Sequence, residues 1–353
     1  MPRLSAKALY DLSYLVARRM GSGEAEAHEV ADHLQRANLS GHDSHGIGMF
    51  PTYVRLLRAG LLVPNQALET VVDFGAILVL DAGRGFGQRM AAEAVRAAVG
   101  RARETGACVL GLRNSAHIGR VGTYGELAAS EGMAFIAFVN VADHHFVQAP
   151  FGCRDPRLGT NPFVSALPGP DGPVLLDMAT TLIAAGKLRV AHNKGQQAPA
   201  GALIDADGRP TTDPGPFSRD HIGAMLSFGG HKGSGLAVLC ELMATALTGG
   251  QRADEAAQGG VVNNMLAVVI DADRMRGGVQ AARDSAADTV AHVKASRLAP
   301  GFESILVPGD PERQAAVRRA TKGVEIDETS WRDICAAALE AGVSEAELAA
   351  ACG

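Results

Sequence analysis

Aromatic residues make up only 5% of this 353-residue chain, with a single tryptophan, and the formal net charge is −5. Few stacking platforms and no surplus of positive charge exclude a nucleic-acid-binding surface. The five cysteines, Cys108, Cys153, Cys240, Cys335 and Cys352, are odd in number and scattered without a C-x-x-C pair. That excludes a disulfide framework and a cysteine-rich zinc site, and it suits a reducing compartment. No apolar run is long enough to span a bilayer, and Met1-Pro2-Arg3-Leu4-Ser5 has no apolar segment of a secretory signal. A cytoplasmic location without a membrane partner is therefore expected. Internal repeats, linkers and low-complexity tracts are also missing. What is present is a chain 47% hydrophobic and 20% charged, able to bury a large core divided between two or three domains.

The first part reads as helical. Ser5 is placed to cap a helix that turns Leu9, Leu12, Leu15 and Val16 to a core and stops at Gly21. Ala27, Val30, Ala31 and Leu34 predict a second helix, and Phe50, Tyr53, Val54 and Leu57 a third that ends at Gly60. From Val71 the period changes to that of strands: 71–74, 77–80, 107–112, 133–139, 163–167 and 174–177, with Asp171-Gly172 as a hairpin turn. Met90 to Val99 reads as a helix, Leu236 to Leu247 as a buried helix and Val261 to Ile270 as a strand. The stretch from Asp205 to Gly215 reads as a long polar loop, Thr289 to Ser296 as a strand or a helix edge, and Ser330 to Leu348 as a helix pair.

Two glycine-rich segments carry candidate chemistry. Gly229-Gly230-His231-Lys232-Gly233-Ser234-Gly235 precedes the predicted buried helix; free backbone N–H groups and one ammonium in a tight turn suit an anionic ligand such as a phosphate or carboxylate. It lacks the spacing of a Walker loop. Gly83, Gly85 and Gly87 lie between a strand and a helix, in the order of a dinucleotide fingerprint. The third glycine comes one position early, and the next strand ends in Arg113-Asn114-Ser115 with no acid to hold a ribose. These glycines therefore read as turn and helix-packing residues.

The glycine turn does not stand alone. Asp43-Ser44-His45-Gly46, Asn114-Ser115-Ala116-His117-Ile118-Gly119, Leu158-Gly159-Thr160-Asn161-Pro162, Asp177-Met178-Ala179-Thr180 and Gly186-Lys187 occur with it in that order. Together they resemble the type-2 malate/L-lactate dehydrogenase family, most closely its hydroxycarboxylate dehydrogenase B branch, over nearly the whole chain. The resemblance implies an α+β, non-Rossmann fold: a largely antiparallel sheet domain that binds NAD or NADP, and a helical domain built from both chain ends. It implies domains at 1–70, 71–290 and 291–353, the last packing on the helical part, and a homodimer with the active site between domains or subunits. His45 matches the family proton donor and Ser44 a hydrogen-bonding neighbour, while Asp43 is placed to orient the ring. His117 matches a second histidine, a proton acceptor in some members and part of the cofactor pocket in others. Cofactor contacts are implied for His117, Ile118, Gly119, Arg120 and Val121, for Asp177, Met178 and Ala179, for His231, Lys232 and Gly233, and for Pro308, Gly309 and Asp310. Asn161-Pro162 implies a fixed bend whose amide faces the site, and Thr160 and Asn161 are expected among the substrate contacts.

One position departs from the pattern. Many members carry an arginine four residues after the active-site histidine to bind the substrate carboxylate; here Met49 stands there, and a thioether cannot replace a guanidinium. Arg120, three residues after His117, is the expected substitute, with Arg55 a weaker one, and Met49 with Phe50 would favour a larger or aromatic substrate side chain. The expected activity is interconversion of small 2-hydroxy and 2-oxo acids by hydride transfer at C2. Cyclic imino acid reduction or ureidoglycolate oxidation would look the same in sequence. Two other classes stay open: a metal-dependent hydrolase using His42, His45, His144 and His145, and a non-catalytic binding protein. No metal is expected.

Overall fold

A computed structural model describes residues 1–193, 195–255 and 257–352. The chain begins with β1 (Arg3–Leu4), α1 (Ala6–Arg19) and α2 (Glu24–Leu39), passes two short 3-10 turns, Asp43–His45 and Ile47–Met49, and enters α3 (Phe50–Arg58). β2 (Glu69–Phe74), β3 (Ile77–Asp81), α4 (Gly87–Thr105), β4 (Ala107–Ala116), α5 (Gly122–Ser130), β5 (Met133–Ala142), β6 (Phe163–Leu167) and β7 (Val174–Met178) follow. A smaller unit comprises α6 (Ala185–Asn193), β8 (Leu203–Ile204), β9 (Pro210–Thr211), α7 (Gly215–Asp220) and β10 (Ala224–Met225). The chain closes with α8 (His231–Ala246), β11 (Val262–Asp271), α9 (Gly278–Lys294), α10 (Asp310–Lys322), β12 (Val324–Glu325), α11 (Glu328–Glu340) and α12 (Glu345–Cys352).

Seven strands form the central sheet in the order β2-β3-β4-β11-β5-β6-β7. Only β3 and β4 run parallel, joined through α4; every other neighbouring pair is antiparallel. The fold is thus α+β, with one β-α-β crossover inside an otherwise antiparallel sheet. The face of α4 that carries Met90, Ala91, Ala94, Val95 and Ala98 packs on Leu110 and Leu112 of β4. Gly111, which points to the other face because side chains alternate along a strand, instead meets Thr248 just beyond α8, 3.3 Å from a Cβ built on it. α4 and α8 therefore cover opposite faces. Each fully buried leucine or valine in this core is worth about 1.5–3 kcal/mol against exposure.

The second core is helical. Ser5 caps α1 through its side chain, which accepts from the Ala8 N–H at 3.1 Å. Leu9, Leu12 and Val16 of α1, Ala27, Val30 and Leu34 of α2, and Phe50, Tyr53 and Val54 of α3 are buried together with Ile334, Ala337 and Ala338 of α11. β1 pairs with β12, Arg3 opposite Glu325, so both chain ends close one body. A third, small core of Val147, Leu188, Leu203, Phe217 and Met225 holds the α6–β10 unit together.

Three expectations are corrected. Of the two alternatives for Thr289–Ser296 the strand is overturned: residues 289–294 are the last turns of α9. Of that helix only Ala286 is buried, so no apolar stripe marks it in the sequence. The polar loop from Asp205 contains a hairpin, β8 against β9, turned at Asp205–Gly208 where the Asp205 side chain accepts from the Asp207 and Arg209 N–H groups. α8 begins at His231, inside the glycine turn, and its outer face is not buried: Val238, Leu239 and Leu242 are 40%, 51% and 53% exposed. All five cysteines are free. Among the described residues no helix is long and apolar enough to cross a membrane.

Candidate active site

The turn after α2 is organised by Asn38, a buried residue at the end of that amphipathic helix. Its Oδ1 accepts from the Ile47 N–H at 2.9 Å, and its Nδ2 donates to Asp43 Oδ1 at 2.8 Å. Gly46 is required beside it, since a Cβ there would stand 2.0 Å from Asn38 Oδ1. Asp43 does not orient the His45 ring: its carboxylate accepts from Arg319 of α10, Nη1 to Oδ1 at 2.7 Å and Nη2 to Oδ2 at 2.9 Å. Thus a C-terminal helix holds the turn that presents His45, and Ser44 Oγ lies 2.9 Å from His45 Nδ1 as its hydrogen-bond partner.

His45 and His117 stack, centroids 5.5 Å apart and planes 20° apart. Tyr53 and Gln88 fix the second ring. Gln88 Nε2 donates to the Tyr53 hydroxyl at 2.5 Å, so the one Tyr53 proton goes to His117 Nδ1, 2.8 Å away. Neutral His117 then carries its proton on Nε2. Burial, followed by the neighbouring imidazoles His117, His42 and His33 and by Arg120, drives the His45 pKa well below its ordinary 6.5. Burial, with His144, lowers that of His117 to about 4. Both rings are neutral at physiological pH.

The loop carrying His117 leaves β4 at the end of the central strands, where the C-terminal ends of β4 and β5 meet the start of β11. The Ile118 N–H donates to Asn263 Oδ1 at 3.0 Å, and the Tyr124 hydroxyl donates to Ile118 C=O. Gly119 has φ +72°, in the left-handed region, and a Cβ there would lie 2.3 Å from His33 Nε2; glycine alone fits. His33 Nε2 accepts from the Arg120 N–H at 2.9 Å. The Arg120 guanidinium is fully buried, donating to Glu126 Oε1 at 2.8 Å, with Nε 3.4 Å from Asp177 Oδ2. Its Nη2 is left without a partner, as is the buried Thr123 Oγ1. Asp177, at the end of β7, accepts from the Gly122 N–H at 3.0 Å; burial raises its pKa against the pull of Arg120 and His42.

A cavity of about 570 Å³ opens beside these groups between α2, α4, α5 and α10. His33, Gln88, Thr123, Glu126, Gly309 and Glu312 line it. His42 Nε2 lies 3.4 Å from Oε1 of the lining residue Glu312. The structure thus brings His45, Ser44, His117, Arg120, Asp177 and Gly309 into one region. Ile118 and Val121 belong to the sheet core, which leaves only their backbone for contact. Pro308 C=O accepts from the Leu175 N–H at 3.3 Å, and Asp310 is engaged by Lys294 and Arg313. Burial alone would raise the Asp310 pKa, but those hydrogen bonds and the Val307 N–H bring it to about 2.

Other predicted residues lie apart from the histidine pair. Met49 packs against the helical core. Asn161 turns its amide nitrogen to α8, donating to Ala237 C=O at 3.1 Å and Glu241 Oε2 at 3.0 Å, while its Oδ1 is buried without a partner. Thr160 C=O accepts from Thr180 N–H and Oγ1. Met178 ends β7 opposite Phe163, and Ala179 follows it. His231 and Lys232 are exposed on the first turn of α8, with His231 against Phe151, and Gly233 is buried where a Cβ would meet Phe228 C=O at 2.1 Å. A second cavity beside that turn is lined by Phe151, Leu182, Leu226, Gly229 and Gly230.

Sequence reading missed Gln88, His33 and Glu312 and saw in Tyr53 only a core side chain. The signal for the first two was a polar residue on a buried helix face, Gln88 between Phe86 and Met90, His33 beside Leu34. Among the described residues no group of three or more His, Cys, Asp or Glu side chains is arranged to hold a metal ion.

A family model described as malate/L-lactate dehydrogenase matches residues 4–335. The chain is 41% identical to hydroxycarboxylate dehydrogenase B of Escherichia coli K12, covering 99% of this chain and 97% of that one. It is 38% identical to an L-lactate dehydrogenase of Cupriavidus necator, covering 87% and 89%. A solved structure from E. coli superposes with a TM-score of 0.93 at 42% identity, covering 100% and 99% of the two chains.

Proposed function

The chain belongs to the malate/L-lactate dehydrogenase family, and from that premise we propose that it interconverts 2-hydroxy and 2-oxo acids with NAD or NADP, His45 exchanging the hydroxyl proton. That it is an oxidoreductase follows from the family. The observation that carries the finer reading is the stacked pair, His45 held neutral beside a His117 whose tautomer Tyr53 sets. In the oxidising direction neutral His45 accepts the hydroxyl proton; in the reducing direction it returns it. A bound substrate carboxylate offsets the neighbouring positive charge and raises the His45 pKa toward the working range. His117, donating from Nε2, is suited to hold the substrate oxygen or the carboxamide of the cofactor.

The residues present fit a dinucleotide. The cavity between α2, α4, α5 and α10 shares Gln88 with the chain of hydrogen bonds that runs through Tyr53 to His117, and the partnerless Thr123 Oγ1 on its wall is a polar group that a ligand would satisfy. Asp177 and the Gly309 segment would hold the cofactor, with Lys232 at the α8 N-terminus as a second anion contact. When bound, a nicotinamide supplies or takes up the hydride. We also propose a homodimer, supported by the exposed apolar face of α8; light scattering at twice the 36.6 kDa chain mass tests it.

The reading is tested by following NADH and NADPH absorbance against pyruvate, oxaloacetate, 2-oxoglutarate, hydroxyphenylpyruvate and a cyclic imino acid. Turnover of an oxo acid that His45→Ala abolishes supports it. Binding of neither cofactor and turnover of no substrate would overturn it in favour of a non-catalytic binding protein.

A further inference from the structure

A 2-oxo acid held beside His45 brings a carboxylate that needs a cation. The turn presenting His45 has none to offer at position 49, where the thioether packs against the helical core. Arg120 is sequestered between Glu126 and Asp177. α6 packs against that turn from the other side. Gly186, in its first turn, is pressed onto Ser44 so closely that a Cβ there would stand 2.2 Å from Ser44 Cβ. Residues three positions apart share a helix face, so Arg189 projects from the same side as Gly186. Its Nη2 lies 3.9 Å from the Cβ position of Gly48, the residue before Met49. Lys187, one position on from Gly186, is rotated about 100° away. Arg189 is exposed and makes no ion pair among the described residues.

We propose that Arg189 is the substrate-carboxylate anchor, a specificity-determining residue that reaches the His45 turn from α6. The proposal rests on the 2-oxo acid reading above. A guanidinium matches a carboxylate with two parallel N–H···O bonds. Supplied from α6, it would let the small unit that carries that helix close on the substrate, while Ser44, under Gly186, keeps its bond to His45.

The test compares wild type, Arg189→Met and Arg189→Lys on the best 2-oxo acid and on its neutral 2-oxo amide, with cofactor saturating. Arg189→Met is expected to raise KM for the acid 10- to 100-fold, leave KM for NAD(P)H unchanged, and erase the preference for acid over amide. Arg189→Lys keeps part of that preference, and added guanidinium restores part of the loss in Arg189→Met. Wild-type turnover with an unchanged acid-to-amide ratio in Arg189→Met would overturn the assignment while leaving the dehydrogenase reading intact. Absence of wild-type turnover on any oxo acid would overturn the reading itself and this inference with it. Because the side chain is exposed, Arg189→Met is expected to melt with wild type; if it does not, the lysine variant's ratio decides.

Discussion

Replacing Tyr53 by Phe removes one oxygen and breaks two hydrogen bonds, one from Gln88 Nε2 and one to His117 Nδ1. Tyr53 is 3% exposed and Gln88 1%, so water cannot take the place of the hydroxyl at Gln88. Gln88 Oε1 already lacks a partner, and the substitution leaves the whole carboxamide unpaired. An orphaned buried polar group costs about 1–3 kcal/mol, against ~1 kcal/mol for a bond simply exchanged with water. A loss of about 2–3 kcal/mol is expected. Unfolding entropy of about 2.1 cal/mol/K per residue over 353 residues is ~0.7 kcal/mol/K, so Tm should fall by about 3–4 °C. The chemical consequence is separate. Without the phenol, His117 is free to carry its proton on either nitrogen, and kcat should drop by more than the stability loss explains, with KM for the cofactor little changed. Calorimetry, steady-state kinetics and ¹⁵N shifts of the His117 ring read the three effects. A variant that melts within 1 °C of wild type, with the ring still protonated on Nε2, would refute the relay from Gln88 through Tyr53.

Gly119→Ala forces a Cβ into His33 at a left-handed φ; strain and overpacking together should cost about 2–4 kcal/mol, read as a Tm some 3–5 °C lower. Asp43→Asn removes the two-pronged contact with Arg319; because both side chains are partly exposed, stability should fall by only ~1 kcal/mol or less, while kcat falls further as the His45 turn loosens, a split that kinetics beside thermal melts would show. His117 has a folded-state pKa of about 4 against an ordinary 6.5, so the unfolded chain binds more protons between those values. Its contribution is fully present above pH 6.5 and is lost as pH falls toward 4, up to about 3 kcal/mol. The pH dependence of Tm should be flatter by that amount in His117→Gln; equal slopes in the two proteins would contradict the buried, neutral ring.

The helical core was legible because its period survives in sequence: Leu9, Leu12 and Val16 recur on one helix face, and Ser5 sits where a cap must. The sheet strands were legible as β-rich segments between turn residues, and the order of the motifs around His45 and His117 carried the family. The end of α9 stayed open between strand and helix edge because an almost wholly exposed helix has no apolar stripe to display, and the outer face of α8 was misread because apolar residues look alike whether a core or open surface receives them. Composition and local pattern therefore determined which segments become helix or strand, which residue types could do chemistry, and that no cysteine or charge framework governs the fold. Tertiary structure alone decided which polar groups meet. Gln88, Tyr53 and His117 lie on three separate elements, Asp43 is taken by Arg319 from 276 residues away, and Arg189 reaches Gly48 from α6. Hydrogen bonds and ion pairs act over a few ångströms, and distance in sequence says nothing of that separation until the chain has folded.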